Sequence, residues 1–303
     1  MQTLLTFDMS NILYKTFYIH AREKLEDVIS LSFHSSLMTL NKYHKKYKPT
    51  QTVFVFDRPN WRKYYTQHED CYSGKLYKGQ RRQNMTQKEQ ARYEKFLEFV
   101  SDFEALIRDH TGITCLAGDM LEADDLFSGI VEVYAPTDEV IIITADKDMT
   151  QLLRYPNVRL IDPATGNQRT LEEWDNNADF FLFNKQLRGD IGDNVQSAYP
   201  RIRTTRIKEC FEDPFKRVNL MNETWTDQTG RELVVGKLFE ENELLMNLSK
   251  QPPCVRRRIF EVIEHGMENS GQFSYFHFMK VLGKYQLKNV AKQLESFIPL
   301  LVG

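Results

Sequence analysis

Five short apolar runs alternate with helical stretches along the first half of the chain. They read LLTF, VFVF, ITCLA, VIII and VRLI, at residues 4–7, 53–56, 113–117, 140–143 and 158–161. Runs of this length predict buried strands, and strands that alternate with helices form a mostly parallel sheet with helices on both faces. The sequence therefore predicts an α/β fold, with amphipathic helices over about residues 31–47 and 87–111.

Acidic residues follow the ends of several predicted strands or open the next helix. They are Asp8, Asp57, Glu122, Asp124, Asp125, Asp146 and Asp148. Ligands of open α/β sheets bind outside the carboxyl ends of the strands. Carboxylates gathered there repel one another unless a hard divalent cation neutralises them. The alternative is that each acid only caps a helix or lies in its first turn, where it interacts favourably with the helix dipole.

The stretch after Asp57 is basic and aromatic. Between residues 61 and 95, nine basic residues stand against four acids, with six aromatic residues among them. Lysine and arginine neutralise phosphates and aromatic rings stack on unpaired bases, so this mixture is typical of single-strand binding. The alternative is a solvated helical face. Because the stretch directly follows an acid of the predicted site and is long for a βα loop, we expect a basic helical arch over the site, at about residues 60–95.

A further acidic motif, GDIGDN at residues 189–194, contains Asp190 and Asp193. Its residue types are also those of an ordinary turn. Beyond it lie three arginines, as expected where a small helix-turn-helix-type unit contacts a duplex backbone: Arg201, Arg203 and Arg206. The remainder is helical in pattern. We therefore expect an α/β domain over residues 1–180 and a helical C-terminal domain with a duplex-binding unit over residues 181–303.

Composition excludes several classes of protein. With 303 residues, 41% hydrophobic and a net charge of −2, the chain is ordinary globular material. The small net charge can still hide an acidic site beside a basic surface. Four separated cysteines without a CxxC pair favour reduced thiols over disulfides or a zinc site. No signal peptide or membrane-length apolar run is visible, so we expect a cytoplasmic protein.

The order of the acidic blocks resembles that of the structure-specific 5′-nuclease superfamily. This superfamily contains the flap endonucleases and the 5′-nuclease domains of bacterial DNA polymerases, and the chain is most similar to the ribonuclease H of T-even-type phages. EADD, TADKDMTQL and GDIGDN match its three most recognisable blocks, and WRKYY and YKGQR match its arch. The resemblance covers essentially the whole chain and is best through residue 195.

The resemblance implies a 5′→3′ exonuclease and flap endonuclease that removes RNA primers and adjacent DNA from lagging-strand fragments during replication. Two Mg²⁺ ions, for which Mn²⁺ can substitute, would bridge the scissile phosphodiester. The first ion would be held by Asp8, Asp57, Glu122 and Asp124. The second would be held by Asp146 and Asp148, and partly through water by Asp190 and Asp193. Asp125 would either ligate directly or lie behind the ligands.

The resemblance also implies roles for basic residues. Lys78 and Arg81 match the arch block and would contact the scissile phosphate, where they offset developing charge. Arg62 would steer the 5′ strand. The remaining nucleic-acid contacts would come from Lys63, Arg82, Arg201, Arg203 and Arg206.

One stretch departs from the pattern of the cellular members. They follow GDxxDN with a glycine-rich hairpin that holds a potassium ion, whereas here the stretch VQSAYPRIRTTR contains no glycine. This argues against a potassium site.

The partners implied by the resemblance are branched or flapped DNA and RNA·DNA duplexes. A single-strand-binding protein and a sliding clamp are implied by resemblance alone. We expect a monomer without membrane contact, in the host-cell cytoplasm if a phage encodes it. Two other functions stay open: a non-catalytic DNA-junction binder with the same fold, and a single-strand ribonuclease of the PIN type, whose domains are usually shorter and lack the arch.

Overall fold

A central parallel sheet organises the protein. The computed structural model describes residues 1–68, 71–80 and 85–303, apart from the side chain of residue 26. The sheet has the order β3-β2-β1-β4-β5, and every pair in it is parallel. Each strand overlaps one of the predicted apolar runs, which confirms the predicted mostly parallel sheet. The strands are β1 (Thr3–Asp8), β2 (Gln51–Val55), β3 (Thr114–Leu116), β4 (Glu139–Ile143) and β5 (Val158–Ile161).

Helices connect these strands. They are α1 (Met9–Tyr18), α2 (Leu25–Tyr47), α3 (Trp61–His68), α4 (Gln87–His110) and α5 (Ala123–Tyr134), with a 3₁₀ helix at Asp148–Arg154. Helix α4 begins at a capping box, in which the Thr86 hydroxyl accepts from the Glu89 N–H at 3.3 Å and the Glu89 carboxylate accepts from the Thr86 N–H at 2.8 Å. Helix α2 starts at Leu25, six residues before the predicted start at residue 31.

The second half of the chain is mainly helical. Its elements are α6 (Ala178–Arg188), α7 (Thr204–Glu212), α8 (Pro214–Met221), β6 (Thr224–Thr226), β7 (Glu232–Val234), α9 (Val235–Met246), α10 (Pro253–Glu268), α11 (Tyr275–Lys284), α12 (Lys288–Lys292) and α13 (Ile298–Val302), with 3₁₀ turns at Glu172–Trp174 and Leu294–Ser296. Strands β6 and β7 form an antiparallel hairpin. Across the described ranges, none of the helices is long and apolar enough to cross a bilayer.

Helices cover both faces of the sheet, as predicted. Helices α1, α2 and α4 pack on one face together with α11–α13, where the ring of Phe33 stacks on that of Tyr285 at 4.3 Å. Helices α5 and α10 cover the other face. They approach closely at Gly129, where a Cβ atom would lie 2.4 Å from Ile259 Cγ2. Each fully buried large apolar side chain in these layers contributes about 1.5–3 kcal/mol.

A third apolar cluster lies apart from the sheet. It joins α6, α7, α8, the hairpin and α9, with Leu187, Ile207 and Leu238 fully buried. Residues 253–302, by contrast, pack on the two faces of the sheet rather than in this cluster. The predicted division at residue 180 stays a prediction about folding units, but in packing terms the last four helices belong with the sheet.

Candidate active site

Asp8 lies at the point where the sheet changes direction. The chain leaves β1 toward β2 on one side while β4 lies on the other, and such a switch point is where open α/β sheets bind ligands. Asp8 Oδ1 accepts from the Asn11 N–H at 3.0 Å, and Oδ2 accepts from the Thr144 hydroxyl at 2.7 Å. Burial, with the nearby charges of Asp57 and Asp146, raises the pKa of Asp8 to about 7. These three carboxylates are therefore close enough to repel one another.

Asp57 and Glu122 lie at the N-terminus of α5. Asp57 Oδ1 accepts from the backbone N–H of Ala123 at 2.7 Å, and Glu122 is the N-cap residue. Burial raises the pKa of the Glu122 carboxyl, Lys78 and Arg62 oppose this effect, and Asp57 adds to it. Both acids thus act as helix caps and also face a shared site, so the two readings of the sequence are compatible at these positions.

Asp124 shares a pocket with the acids that follow β4. Burial raises the pKa of Asp124 well above its ordinary value, and Asp146 and Glu122 raise it further. The loop after β4 is compact, because Asp146 Oδ1 accepts from the Asp148 N–H at 2.8 Å. Burial also raises the pKa of Asp148, although Lys185 opposes this.

The loop after α6 adds Asp190 and Asp193. Asp190 Oδ1 accepts from the Asp193 N–H at 3.2 Å. The ammonium of Lys185 pairs with Asp148 and lies 3.2 Å from Asp190 Oδ2. Burial alone would raise the pKa of Asp190, but Lys185 and backbone hydrogen bonds outweigh it, and the pKa is lowered. Sequence reasoning missed Lys185, since a single lysine within FFLFNKQL gives no local signal of a site.

Lys78 reaches into the carboxylates from the arch segment. Its ammonium pairs with Glu122 and lies 3.7 Å from Asp193 Oδ2. Its backbone φ is +53°, a left-handed conformation that is uncommon for a residue with a side chain. The hydroxyl of Tyr77 donates to Asp193 Oδ2 at 2.8 Å and to Glu122 Oε2 at 3.3 Å. Tyr77 and Lys78 thus connect Glu122, at the start of α5, to Asp193, in the loop that follows α6.

Arg62 occupies a different place from the one predicted. It is 2% exposed, and its guanidinium forms a bidentate pair with Asp125 at 2.8 and 2.9 Å. It also donates to Glu122 Oε2 at 3.2 Å and to the Leu245 carbonyl at 2.7 Å. Buried in this way, the Arg62 guanidinium is not accessible to a 5′ strand in this structure, and the predicted contact stays a prediction. Asp125 is 0% exposed. In this structure it therefore lies behind the other acids rather than among those that face the site.

Arg169, which no pattern in the sequence singled out, holds the loop after β4. Arg169 donates to the backbone carbonyl of Asp146, to that of Ala145 at 3.1 Å, and to the Thr150 hydroxyl at 3.4 Å. These bonds fix the backbone that carries Asp146 and Asp148.

Three of the predicted nucleic-acid contacts lie at the surface. Lys63, Arg201 and Arg203 are exposed. Arg81 and Arg82 lie outside the described residues. Their roles, like those of the exposed three, stay predictions.

A cleft of about 370 Å³ lies between the arch segment and the loop that follows α6. Its charged lining residues are all basic: Lys75, Arg188 and Arg201. Arg206 lies near it, paired with Glu223 and with its guanidinium 5.0 Å from the ring centroid of Tyr199. The cleft therefore presents positive charge close to the acidic cluster.

The acidic cluster has the chemistry of a divalent-cation site. Carboxylate oxygens are the ligands that Mg²⁺ prefers, and burial together with neighbouring carboxylates raises the pKa of both Asp8 and Asp124. Within the described part of the chain, no three acidic, histidine or cysteine side chains converge as a ready-made ligand set. The ammonium groups of Lys78 and Lys185 lie between carboxylates instead. A cavity of about 10 Å³, roughly the room for one water molecule, is lined by Asp124, Asp148, Asp190 and Asp193 among others.

Comparison with known families defines the class of the protein. The family described as 5′-3′ exonuclease, N-terminal resolvase-like domain, matches residues 3–180, more than half of the chain. The chain therefore belongs to this family of 5′-3′ exonucleases, and the predicted superfamily is confirmed.

Individual relatives come from phages. The ribonuclease H of Enterobacteria phage T4 is 26% identical over 198 residues, a match that spans 64% of this chain and 62% of that protein. The 5′-exonuclease of phage T5 with bound zinc has the same fold at 20% identity, with a TM-score of 0.64 over 87% of this chain and 99% of that one. The T5 flap endonuclease in a pseudo-enzyme–product complex with DNA and metal ions matches at 18% identity, with a TM-score of 0.65 over 88% and 100%.

Proposed function

We propose that this protein is a divalent-metal-dependent 5′→3′ exonuclease and 5′-flap endonuclease that hydrolyses phosphodiester bonds in DNA and RNA·DNA duplexes. The observation that carries the proposal is the gathering of carboxylates from five separate parts of the chain beside Lys78, at the switch point of the sheet. Membership of the 5′-3′ exonuclease family supports the reaction. The name of the T4 relative, ribonuclease H, supports an RNA-containing substrate.

The proposed cofactors are two Mg²⁺ ions, for which Mn²⁺ can substitute. The residues that would hold the first are Asp8, Asp57, Glu122 and Asp124, and those for the second are Asp146, Asp148, Asp190 and Asp193. Bound there, such ions would supply Lewis-acid stabilisation and a more acidic water. The donor chemistry of the cluster supports this assignment, as do the metal ions crystallised with the T5 proteins of the same fold.

The side chains of the site have distinct parts in this proposal. Asn11 and Thr144 orient the Asp8 carboxylate through the hydrogen bonds described above. Lys78, once released from Glu122, donates to the scissile phosphate, where a fixed positive charge stabilises the transition state. Arg201 and Arg203 contact the phosphate backbone of the duplex. Asp125 and Arg62 support the acids from behind.

We further propose that the reaction removes RNA primers and adjacent DNA from lagging-strand fragments, in the cytoplasm of a phage-infected host. The phage origin of the T4 and T5 relatives supports this setting. Branched DNA and RNA·DNA duplexes are the proposed substrates, and the protein acts as a monomer. A single-strand-binding protein and a sliding clamp are proposed partners in the same process.

A cleavage assay tests the proposal. A 5′-labelled flap and a nicked RNA·DNA duplex are incubated with and without Mg²⁺, and the products are resolved by size. We expect Asp146→Asn to slow cleavage at least about a hundredfold, as removal of a group that acts in the transition state does, while forked-DNA binding is retained. Asp109→Asn, a matched change at an exposed position on α4, should cleave like the wild type.

The results also distinguish the alternative function. A non-catalytic junction binder would not cleave either substrate, and chelation of Mg²⁺ would alter only its affinity for DNA. Cleavage that persists in Asp146→Asn with Mg²⁺ present would contradict the proposal.

A further inference from the structure

The segment from residue 71 to residue 80, here called the arch root, carries Lys78 into the acidic cluster. It contains no helix or strand, so its conformation depends on contacts with other parts of the protein. Besides Thr66 on α3 and Glu122 at the start of α5, those contacts come from the hairpin β6–β7, from α9 and from the loop after α6. The hairpin, α9 and this loop lie more than a hundred residues later in the chain.

The backbone of Ser73 is held on both sides. Its N–H donates to both carboxylate oxygens of Glu241, at 3.1 and 3.3 Å. Its carbonyl accepts from Arg231 Nη2 at 2.9 Å. Glu241 is 7% exposed, and a hydrogen bond to a buried carboxylate is stronger than one between neutral groups. Both peptide groups at Ser73 therefore have fixed orientations.

Neighbouring residues of the arch root are held by the same part of the protein. The Tyr72 hydroxyl accepts from the Val234 N–H at 2.8 Å. The Leu76 carbonyl accepts from Asn194 Nδ2 at 2.8 Å. The anchoring contacts from this part of the protein thus run from residue 72 to residue 76, and the Tyr77 N–H donates to the Thr66 hydroxyl on α3 at 2.9 Å, immediately before Lys78.

Lys78 needs such support because of its own backbone conformation. Its φ of +53° lies in the left-handed region, which is unfavourable for a non-glycine residue and persists only where surrounding contacts impose it. The Lys78 N–H donates to the Asp193 carbonyl at 2.8 Å, and the direction of its side chain follows from this backbone. Movement of the arch root would therefore move the ammonium away from the place where it meets the phosphate.

From these contacts we infer that Glu241 and Arg231 are positioning residues, which fix the catalytic lysine by holding Ser73. The inference rests on the proposed function, since it needs Lys78 to act on the scissile phosphate. It gives the hairpin and α9 a part in the reaction, although neither contributes an acid to the site. The hydrogen bonds to the arch root thereby connect the helical unit that would contact the duplex to Lys78, which would contact the reacting phosphate.

A double-mutant cycle tests the inference. Single-turnover cleavage of the 5′-flap with Mg²⁺, the Kd for the flap and the Tm are measured for Glu241→Ala, Lys78→Ala and the double variant. We expect Glu241→Ala to slow cleavage about ten- to a hundredfold with Kd within about twofold, because a displacement of about 1 Å can cost this much. In the Lys78→Ala background the same change should alter the rate less than about twofold, because the group that it positions is absent.

Two controls separate positioning from general damage. Glu241→Gln keeps an acceptor for the Ser73 N–H and should retain most of the wild-type rate. Glu240→Ala removes a carboxylate from the neighbouring, exposed position of α9 and should cleave like the wild type. If Glu241→Ala does not fold, Arg231→Ala replaces it in the cycle, because the Arg231 side chain is 48% exposed and its loss leaves the core intact.

Each outcome decides the inference. A wild-type rate in both Glu241→Ala and Arg231→Ala would overturn it. Multiplicative effects of Glu241→Ala and Lys78→Ala would also overturn it, since they would show that Glu241 does not act through the lysine. Full cleavage by Lys78→Ala would instead contradict the proposed role of Lys78 itself, which separates the two failures.

Discussion

Replacement of Arg62 by alanine gives the sharpest test of how the acidic cluster is held together. The variant leaves the fully buried Asp125 carboxylate without its opposing charge and the Leu245 carbonyl without its donor. Removal of one partner of a buried ion pair costs about 3–5 kcal/mol. With about 2.1 cal/mol/K of unfolding entropy per residue over 303 residues, the entropy at the midpoint is about 0.6 kcal/mol/K, so the Tm should fall by roughly 5–8 °C.

Thermal unfolding is measured by calorimetry in metal-free buffer. Arg256→Ala is the matched control, because Arg256 pairs with Glu132 at 2.8 Å on the surface, where such pairs contribute less than about 1 kcal/mol. A double variant, Arg62→Met with Asp125→Leu, should unfold above Arg62→Ala, since it removes the buried Asp125 charge together with its partner.

A measurement of forked-DNA binding can refute the argument that Arg62 is a buried supporting residue. If Arg62 contacted the 5′ strand, Arg62→Ala would weaken binding to forked DNA while its Tm stayed within a degree or two of the wild type. That outcome would refute the argument from burial. A lower Tm with an unchanged Kd would support it.

Three further predictions concern other parts of the site. Burial and Asp57 raise the pKa of Asp8 from 3.8 to about 7, so this group's contribution to stability is lost as the pH rises between those values; in metal-free buffer, Asp8→Asn should melt above the wild type at pH 8, and by a smaller margin at pH 5. Arg169→Ala removes the bonds to the carbonyls beside Asp146, and we expect single-turnover cleavage to slow about tenfold or more with Kd within about twofold, with partial rescue by Arg169→Lys. Arg203→Ala should lower the slope of log Kd against log salt by about 1, measured by fluorescence anisotropy; an unchanged slope would show that Arg203 makes no phosphate contact.

The sheet and the position of its acids could be predicted because both depend on local patterns. An apolar run such as residues 140–143 specifies a buried strand by its length and composition. Parallel strands end at one edge of a sheet, so Asp8 and Asp146 had to lie near each other once β1 and β4 were neighbours. No knowledge of side-chain contacts was needed for that step.

The supporting cations could not be predicted, because their places depend on partners that are distant in sequence. Arg62 reads as one basic residue of a basic stretch, and only its pairing with Asp125, 63 residues later, accounts for its burial. Lys185 likewise lies in an apolar helix with no sign that it meets Asp148. Burial of a charged side chain requires a specific opposing group, and a single sequence does not say which group that is.

The hairpin and the packing position of the last helices were not predicted, for other reasons. Strands β6 and β7 have three residues each, too few for an alternating pattern to show. Helices α10–α13 were expected as helices, but an amphipathic stripe does not identify the surface that it covers. The sequence therefore gave no sign that these helices complete the layers of the sheet.

The position of α11–α13 has a consequence for synthesis of the protein. Phe33 on one face of the sheet stacks against Tyr285, and Phe103 and Phe297 lie in the same buried cluster; the ribosome adds Tyr285 and Phe297 long after the fifth strand. Until those residues emerge, the nascent polypeptide exposes a large aromatic surface of the kind that chaperones bind and that drives aggregation. A stop codon shortly after α9 should therefore give insoluble material rather than a smaller working nuclease.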